Sequence, residues 1–74
     1  MNNLEREFLA NPSTTDKERL AFAKLSEGRR DSGEVLYEVI CNLQDEAHLA
    51  EFAQHPNAHV RSDALYYAKT DNIR

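Results

Sequence analysis

Cys41 and three histidines are the residues of this chain whose types could bind a metal or act in catalysis. Cys41, His48, His55 and His59 follow one another at intervals of seven, seven and four residues. Zinc prefers thiolate and imidazole ligands, but a structural zinc site normally places a tight Cys-x-x-Cys or His-x-x-x-His pair on one element. His55 and His59 instead lie on either side of a proline turn and a helix start. We therefore expect no bound metal and no cofactor, and keep a Cys/His metal-binding protein as an alternative.

Nucleophilic catalysis by Cys41 would require its thiolate beside a histidine, with a third orienting group. Glu34, Glu38 and Asp45 lie close to Cys41 in the sequence, and negative neighbours raise the pKa of a thiol. Glu34 and Glu38 also share a helix face, but no apolar cleft is predicted around them, which argues against acid–base catalysis. We expect no catalytic residue and a protein that is not an enzyme, with a thiol-dependent protein as an alternative.

The length of 74 residues permits one domain with a small core. Such a domain has little stability in reserve, so a homo-oligomer is among the states that we expect. Cys41 is the only cysteine, and residues 1–10 lack the pattern of a signal peptide, which indicates a reducing cytoplasm. No apolar stretch approaches the roughly 20 residues of a membrane-spanning helix, so we expect no membrane partner.

The formal charge of −4 is unevenly distributed along the chain. Residues 31–59 contain six acids and no Lys or Arg, whereas all nine basic residues lie outside this stretch. A negative field repels phosphate backbones and attracts basic proteins. Lys24, Arg29 and Arg30 form one small basic cluster, but the net charge and the lack of a recognition-helix pattern argue against DNA or RNA. A nucleic-acid-binding regulator is kept as an alternative.

The sequence predicts five helices and no strand. Side chains that cap helices precede each helix; they are Asn2 or Asn3, Thr15, Asp31, Asp45 and Asn57. Thr15 and Asp31 also have a glutamate three residues later, which is the capping-box spacing. Gly28 is placed to end the second helix in the left-handed conformation. The predicted helices cover about 4–10, 16–27, 33–43, 46–54 and 58–70, and a frayed tail is predicted at 71–74.

Apolar periodicity predicts where the core lies. The third helix has the clearest stripe, centred on Val39 and Leu43, which leaves Tyr37 and Cys41 on its opposite side. The second helix is apolar almost all round, which predicts that it is the central, most buried helix. We expect nine large side chains to be buried: Leu20, Phe22, Leu36, Val39, Ile40, Leu43, Phe52, Val60 and Leu65.

Two similar stretches suggest an internal repeat. Residues 8–12 (FLANP) and 52–56 (FAQHP) lie about 44 residues apart, within the roughly 40–47 residues of HEAT and armadillo units. Residues 49–65 (LAEFAQHPNAHVRSDAL) resemble a HEAT-like repeat, whose Pro-Asx-x-x-Val-Arg-x-x-Ala pattern is matched by Pro56, Asn57, Val60, Arg61 and Ala64. Residues 9–14 (LANPST) resemble the turn of leucine-rich-variant helical repeats, with one spacer residue missing.

This resemblance implies an all-α domain over residues 1–74, built from HEAT-like antiparallel helix pairs around one small core. The repeat-like units cover about 4–27 and 46–69, with a linking helix at about 33–43 that the family lacks. Families of this kind bind proteins or nucleic acids along stacked helices and are seldom enzymes. In such repeats the residue at Arg61 usually packs its stem and hydrogen-bonds a neighbouring turn.

We therefore predict a non-enzymatic protein–protein interaction module: an adaptor or a small regulatory or inhibitor protein, of a kind frequent in bacteria and phages. Its expected partner is another protein with a basic surface. Tyrosines exposed among acids provide a large contact area with few rotors to freeze. The predicted partner-binding residues are Glu34, Tyr37, Glu38, Asp45, Glu46, Glu51 and Tyr66.

Overall fold

Five helices make up the fold in a computed structural model of the chain, which describes residues 1–68. The helices are α1 (Asn3–Ala10), α2 (Asp16–Leu25), α3 (Ser32–Asn42), α4 (Glu46–Phe52) and α5 (Ala58–Tyr67). Residues 1–68 contain no strand, so the predicted all-α class is confirmed. The predicted end of the fifth helix near Thr70 and the predicted frayed tail lie outside the described residues. None of the helices within residues 1–68 has the length and apolar character that a bilayer crossing requires.

Local hydrogen bonds explain where most of the helices begin. Thr15 and Glu18 form the predicted capping box, in which each side chain accepts a hydrogen bond from the other residue's backbone amide. Asn2 forms the same arrangement at the start of α1. Asp45 and Asn57 each accept a hydrogen bond from the backbone amide two residues later. These four predicted caps are confirmed.

Two predictions about helix ends are wrong. Asp31 makes no side-chain hydrogen bond to the start of α3. Its carboxylate instead binds the guanidinium of Arg29 and the N-terminal amine of Met1, at 2.8 and 2.6 Å. Gly28 does not adopt the left-handed conformation, because α2 ends earlier, at the C-cap residue Ser26.

The core is built around α3, and the prediction that the second helix is central is wrong. Helix α3 packs against α1, α2 and α5, whereas α4 packs on α5. The apolar residues of α2 lie on several sides of the helix, and not all of these sides face another helix. The only fully buried side chain of α2 is therefore the charged Arg19. Within residues 1–68, seven apolar residues form the buried cluster: Leu9, Val35, Val39, Ile40, Leu43, Leu49 and Val60.

The predicted core residues have three different outcomes. Four of them are buried as predicted: Val39, Ile40, Leu43 and Val60. Four others are only half-buried and pack against the edge of the core: Leu20, Phe22, Leu36 and Phe52. Leu65 is exposed, so its prediction is wrong, because the small residues Ala64 and Ala68 occupy the buried side of this part of the chain.

Hydrogen bonds from the Arg19 side chain connect the first proline turn, at Pro12, to α2. Its Nε donates to the carbonyl oxygen of Leu9 at 2.7 Å, and its Nη2 donates to the carbonyl oxygen of Asn11 at 2.8 Å. Nη1 lies 3.1 Å from Oδ1 of Asp16, which provides a countercharge for this buried cation. Arg19 thus binds two of the carbonyl groups at the end of α1, where carbonyls lack helical partners. Thr14 donates to the carbonyl oxygens of Phe8 and Asn11.

Arg61 has the corresponding role at the second proline turn. Its Nη1 donates to the carbonyl oxygens of His55 and Pro56, each at 2.9 Å. Arg61 lies four residues after the cap Asn57, just as Arg19 lies four residues after Thr15. The turn-bonding role of Arg61 that the resemblance implied is present. The superposition of the two repeat-like units stays a prediction.

Candidate interaction surface

Three tyrosines from α3 and α5 form a cluster at the surface. The hydroxyl groups of Tyr37 and Tyr67 lie 2.8 Å apart, and their rings meet edge to face with centroids 6.1 Å apart. The ring of Tyr66 also meets Tyr67 edge to face, with centroids 5.0 Å apart. Tyr66 is 79% exposed and Tyr37 is 42% exposed. Two tyrosines therefore present aromatic surface to solvent, while Tyr67 between them packs against the core.

Acidic residues lie on the same two helices as the tyrosines, with Glu34 and Glu38 on α3 and Asp63 on α5. Glu38 and Asp63 both lie close enough to the half-buried thiol of Cys41 to influence it. Burial raises the pKa of this thiol, and the negative charges of Glu38 and then Asp63 raise it further. The direction matches the prediction from sequence, and it keeps Cys41 in the poorly nucleophilic thiol form. We use the term acidic tyrosine face for Glu34, Tyr37, Glu38, Asp63 and Tyr66.

Arg6 neutralises part of one edge of this face. Its guanidinium forms an ion pair with Glu34 and also lies 4.0 Å from Oε1 of Glu38. Glu34 is therefore not the unpaired acid that the sequence predicted. Sequence reasoning missed this pair because Arg6 and Glu34 are 28 residues apart and are brought together by the packing of α1 on α3.

The other predicted binding residues lie on or beside α4. Asp45 and Glu46 are at its start, where they border a shallow cavity together with Asp16 and His48. Glu51 is exposed on the same helix. The structure thus distributes the predicted set over two places, with Glu34, Tyr37, Glu38 and Tyr66 on α3 and α5, and the remaining acids on α4 or at its N-cap.

Asp16 is an anchoring residue that sequence reasoning missed. Its carboxylate accepts hydrogen bonds from the backbone amides of Gln44 and Asp45, at 2.9 and 2.8 Å, and from the Arg19 side chain. Nδ1 of His48 lies 3.0 Å from Oδ2. Burial opposes ionisation of Asp16, but these hydrogen bonds outweigh it and lower its pKa. The sequence signals only an acid in the first turn of α2, because the amide donors lie 28 and 29 residues away.

The four candidate metal ligands do not come together. Residues 1–68 contain no group of three or more His, Cys, Asp or Glu side chains that could hold a metal ion. His48 is held by Asp16, and His55 accepts a hydrogen bond from the amide of Asn57 while stacking on Phe52. The four candidate metal ligands in the sequence are Cys41, His48, His55 and His59.

Arg29, one residue of the small basic cluster, forms ion pairs within the molecule. Its Nη1 lies 2.7 Å from Glu5 and its Nε lies 2.8 Å from Asp31. These hydrogen bonds raise the pKa of Arg29, and the guanidinium lowers the pKa of Glu5 to about 2. Of the three cations in the cluster, Arg29 is therefore neutralised, while Lys24 and Arg30 remain exposed.

A separate groove opens between α2, α3 and the turn that joins α4 to α5. Its volume is about 460 Å³, and its walls include Leu20, Leu36 and Phe52. These are three of the predicted core residues that the structure leaves half-buried. Lys24 and His55 also line the groove.

Comparison of the chain with protein-family models, curated proteins and solved structures finds no match. The HEAT-like resemblance accordingly stays a prediction from the sequence motif. The arguments about function that follow depend on the geometry and charge of the chain itself.

Proposed function

We propose that this chain is a non-enzymatic interaction module, an adaptor or a small regulatory or inhibitor protein of the cytoplasm. It binds a partner protein with a basic surface through the acidic tyrosine face. The observation that carries the proposal is the exposure of Tyr66, 79% of whose surface meets solvent although its ring is held against Tyr67. Exposed tyrosines provide apolar contact area together with a hydroxyl, which is why they are enriched at protein interfaces.

The arrangement of the rings supports binding because the rings are already in contact before a partner binds. Tyr67 contacts both Tyr37 and Tyr66, so each exposed ring packs against a ring that is itself in contact with the core. Association costs free energy for each flexible side chain that it immobilises. Rings that are already held in contact lower this cost, so a partner gains more from each tyrosine.

The charge around the rings supports a basic partner. The acidic tyrosine face contains three acids, Glu34, Glu38 and Asp63, and within residues 1–68 only the first two lie near a cation, Arg6, so the face keeps a net negative charge. Within residues 31–68 the single basic residue is Arg61. The guanidinium of Arg61 binds carbonyl groups of the second proline turn. Opposite charge on a partner would accelerate encounter and fix the orientation of the complex.

The two alternatives have less support. The raised pKa of Cys41 disfavours the thiolate that a thiol-dependent activity requires. Nucleic-acid binding would depend on Lys24 and Arg30, because Arg29 is already paired with Glu5 and Asp31. Neither alternative explains why tyrosines lie exposed among acids.

Affinity capture from the source cells tests the proposal, with the chain as bait and mass spectrometry as the readout. Tyr66→Ala should lower recovery of a basic partner at least about tenfold, because central aromatic residues carry much of the affinity of an interface. His59→Ala is the matched control, since His59 is an exposed ring on the same helix. If both variants are folded by circular dichroism and recover the partner equally well, the acidic tyrosine face is not the binding surface.

A further inference from the structure

A second apolar surface lies on α1 and α2. Leu4 is 76% exposed and Leu25 is 86% exposed. The rings of Phe8 and Phe22 lie between the two helices with centroids 5.9 Å apart. Leu4 and Phe8 are one turn apart on α1, as Phe22 and Leu25 are on α2. We use the term α1–α2 strip for these four residues.

Contacts at both ends of the helices show how α1 and α2 are oriented relative to each other. Arg19, near the start of α2, binds the carbonyl oxygen of Leu9 at the end of α1. Arg29, just after α2, binds Glu5 near the start of α1. The two helices therefore run in opposite directions, and Leu25 lies toward the start of α1.

We infer that the α1–α2 strip is the surface through which two copies of this chain pack against each other. Charge supports a second copy as the occupant. Among residues 1–30, the exposed side chains that form no ion pair within residues 1–68 are three cations and three acids, namely Lys17, Lys24, Arg30, Glu7, Glu18 and Glu27. Residues 31–68 contain seven acids and one cation, even though Arg6 and Arg29 pair with Glu34 and Asp31. Two copies that met through the acidic half would repel each other. The nearly balanced half allows opposite charges of two copies to face one another across a two-fold axis, where the interface must be self-complementary.

The size of the domain supports the same occupant. A domain this small buries a modest part of its apolar surface by itself, and here the buried apolar cluster has seven residues. A stable interface covers about 800 Å² on each partner. This is about a sixth of the accessible surface of 5087 Å². Antiparallel α1 and α2 from two copies would form a four-helix arrangement.

Light scattering after size-exclusion chromatography and sedimentation equilibrium test this inference on the 74-residue chain. Across about 5–500 µM, the mass should rise from the chain mass toward twice 8.5 kDa. Leu25→Glu and Leu4→Glu should each weaken dimerisation at least about tenfold, because each places a charge in the apolar contact. Isotope-filtered nuclear Overhauser effects between labelled and unlabelled copies should appear at Phe8 and Phe22.

Tyr66→Glu is the matched control, because it places the same charge at a similarly exposed apolar residue on the acidic half. It should leave the dimer intact, and circular dichroism should show that all three variants are folded. A chain that stays monomeric at every concentration would overturn the inference. A dimer that persists in both leucine variants, or that is lost in Tyr66→Glu, would overturn it as well. The outcome does not depend on the partner proposed above, because the readout uses the chain alone.

Discussion

Tyr37 and Tyr67 share a hydrogen bond in which their hydroxyl oxygens lie 2.8 Å apart, linking α3 to the last residue of α5. The bond from Tyr37 raises the pKa of Tyr67 to about 12, and burial raises it in the same direction. The bond favours the neutral form of the hydroxyl that donates it, because ionisation would remove the donated proton and with it the bond. This pair holds the ring against which Tyr66 packs.

Tyr37→Phe should lower the pKa of Tyr67 toward the ordinary value of about 10. Titration of ring-labelled tyrosine by nuclear magnetic resonance measures it directly. Since the pKa is raised in the folded state, the associated stability is complete below about pH 10 and is lost as the pH rises toward about 12. Tyr66→Phe, which keeps both hydroxyls of the pair, is the control. An unchanged titration in Tyr37→Phe would show that the hydrogen bond does not cause the shift.

Asp16→Asn should lower the free energy of unfolding by about 1.5–3 kcal/mol, because hydrogen bonds to a charged group are lost. The pKa of Asp16 is lowered in the folded state, so its contribution is present above the ordinary carboxyl pKa of about 4 and disappears as the pH falls through the folded value. Urea unfolding at neutral pH and at low pH measures both effects. Glu7→Gln changes an exposed acid and should stay within about 0.5 kcal/mol. Equal stability of Asp16→Asn and the parent would contradict the anchoring role.

Arg19→Met and Arg61→Met should differ although both residues bind the carbonyl groups of a proline turn. Arg19 is fully buried, so its loss leaves the carbonyl oxygen of Leu9 without this donor and should cost about 1.5–3 kcal/mol. The carbonyl oxygen of Asn11 still accepts from the amide of Thr14. Arg61 is half-buried beside an exposed turn, where water can replace it, and its loss should cost about 0.5–1.5 kcal/mol. Thermal and urea unfolding rank the two variants. If Arg61→Met lowered the free energy of unfolding more than Arg19→Met, the second proline turn would contribute more to stability than the first.

Ile40→Ala should cost about 2–5 kcal/mol, because a fully buried side chain on the central helix leaves a cavity. Phe52→Ala should cost less than its usual range of about 3–5 kcal/mol, since Phe52 is half-buried at the wall of the groove. Ile40→Val, expected to cost about 0.5–1.5 kcal/mol, keeps the comparison measurable if Ile40→Ala does not fold. Calorimetry or urea unfolding gives these values. An Ile40→Ala protein as stable as the parent would contradict the central position of α3.

Most N-terminal helix caps, which are encoded within one helical turn, could be predicted from the sequence. The capping box of Thr15 and Glu18 is an example, because its hydrogen bonds join residues three apart. Asp31 is the exception, because Arg29 and the N-terminal amine bind its carboxylate.

The exposure of Tyr37 and Tyr66 also followed from helical periodicity. The apolar pattern of α2 was misleading, since periodicity shows how many sides of a helix are apolar but not how many neighbours cover them. Leu25 illustrates this, because it belongs to the apolar pattern and is 86% exposed.

Features that depend on packing between distant segments could not be predicted. Arg6 neutralises Glu34, and Asp16 binds the amide of Gln44, although each pair is separated by 28 residues. Nothing in the local pattern specifies these partners. The contact of Tyr37 with Tyr67 is of the same kind, because it requires α3 and α5 to pack side by side. The types of residue in the candidate face were thus predictable, whereas their neutralisation and organisation were not.

Charge and aromatic variants of the acidic tyrosine face should change different rate constants for a captured basic partner. Glu38→Lys combined with Asp63→Lys should slow association and weaken its dependence on salt, because charges at the rim mainly steer encounter. Tyr66→Ala should chiefly accelerate dissociation, with a loss of about 1–4 kcal/mol of binding free energy. Surface plasmon resonance at several salt concentrations separates the two rates. His59→Ala should match the parent in both. If the charge variant altered only dissociation, or Tyr66→Ala only association, the acids and the ring would not have the roles assigned to them here.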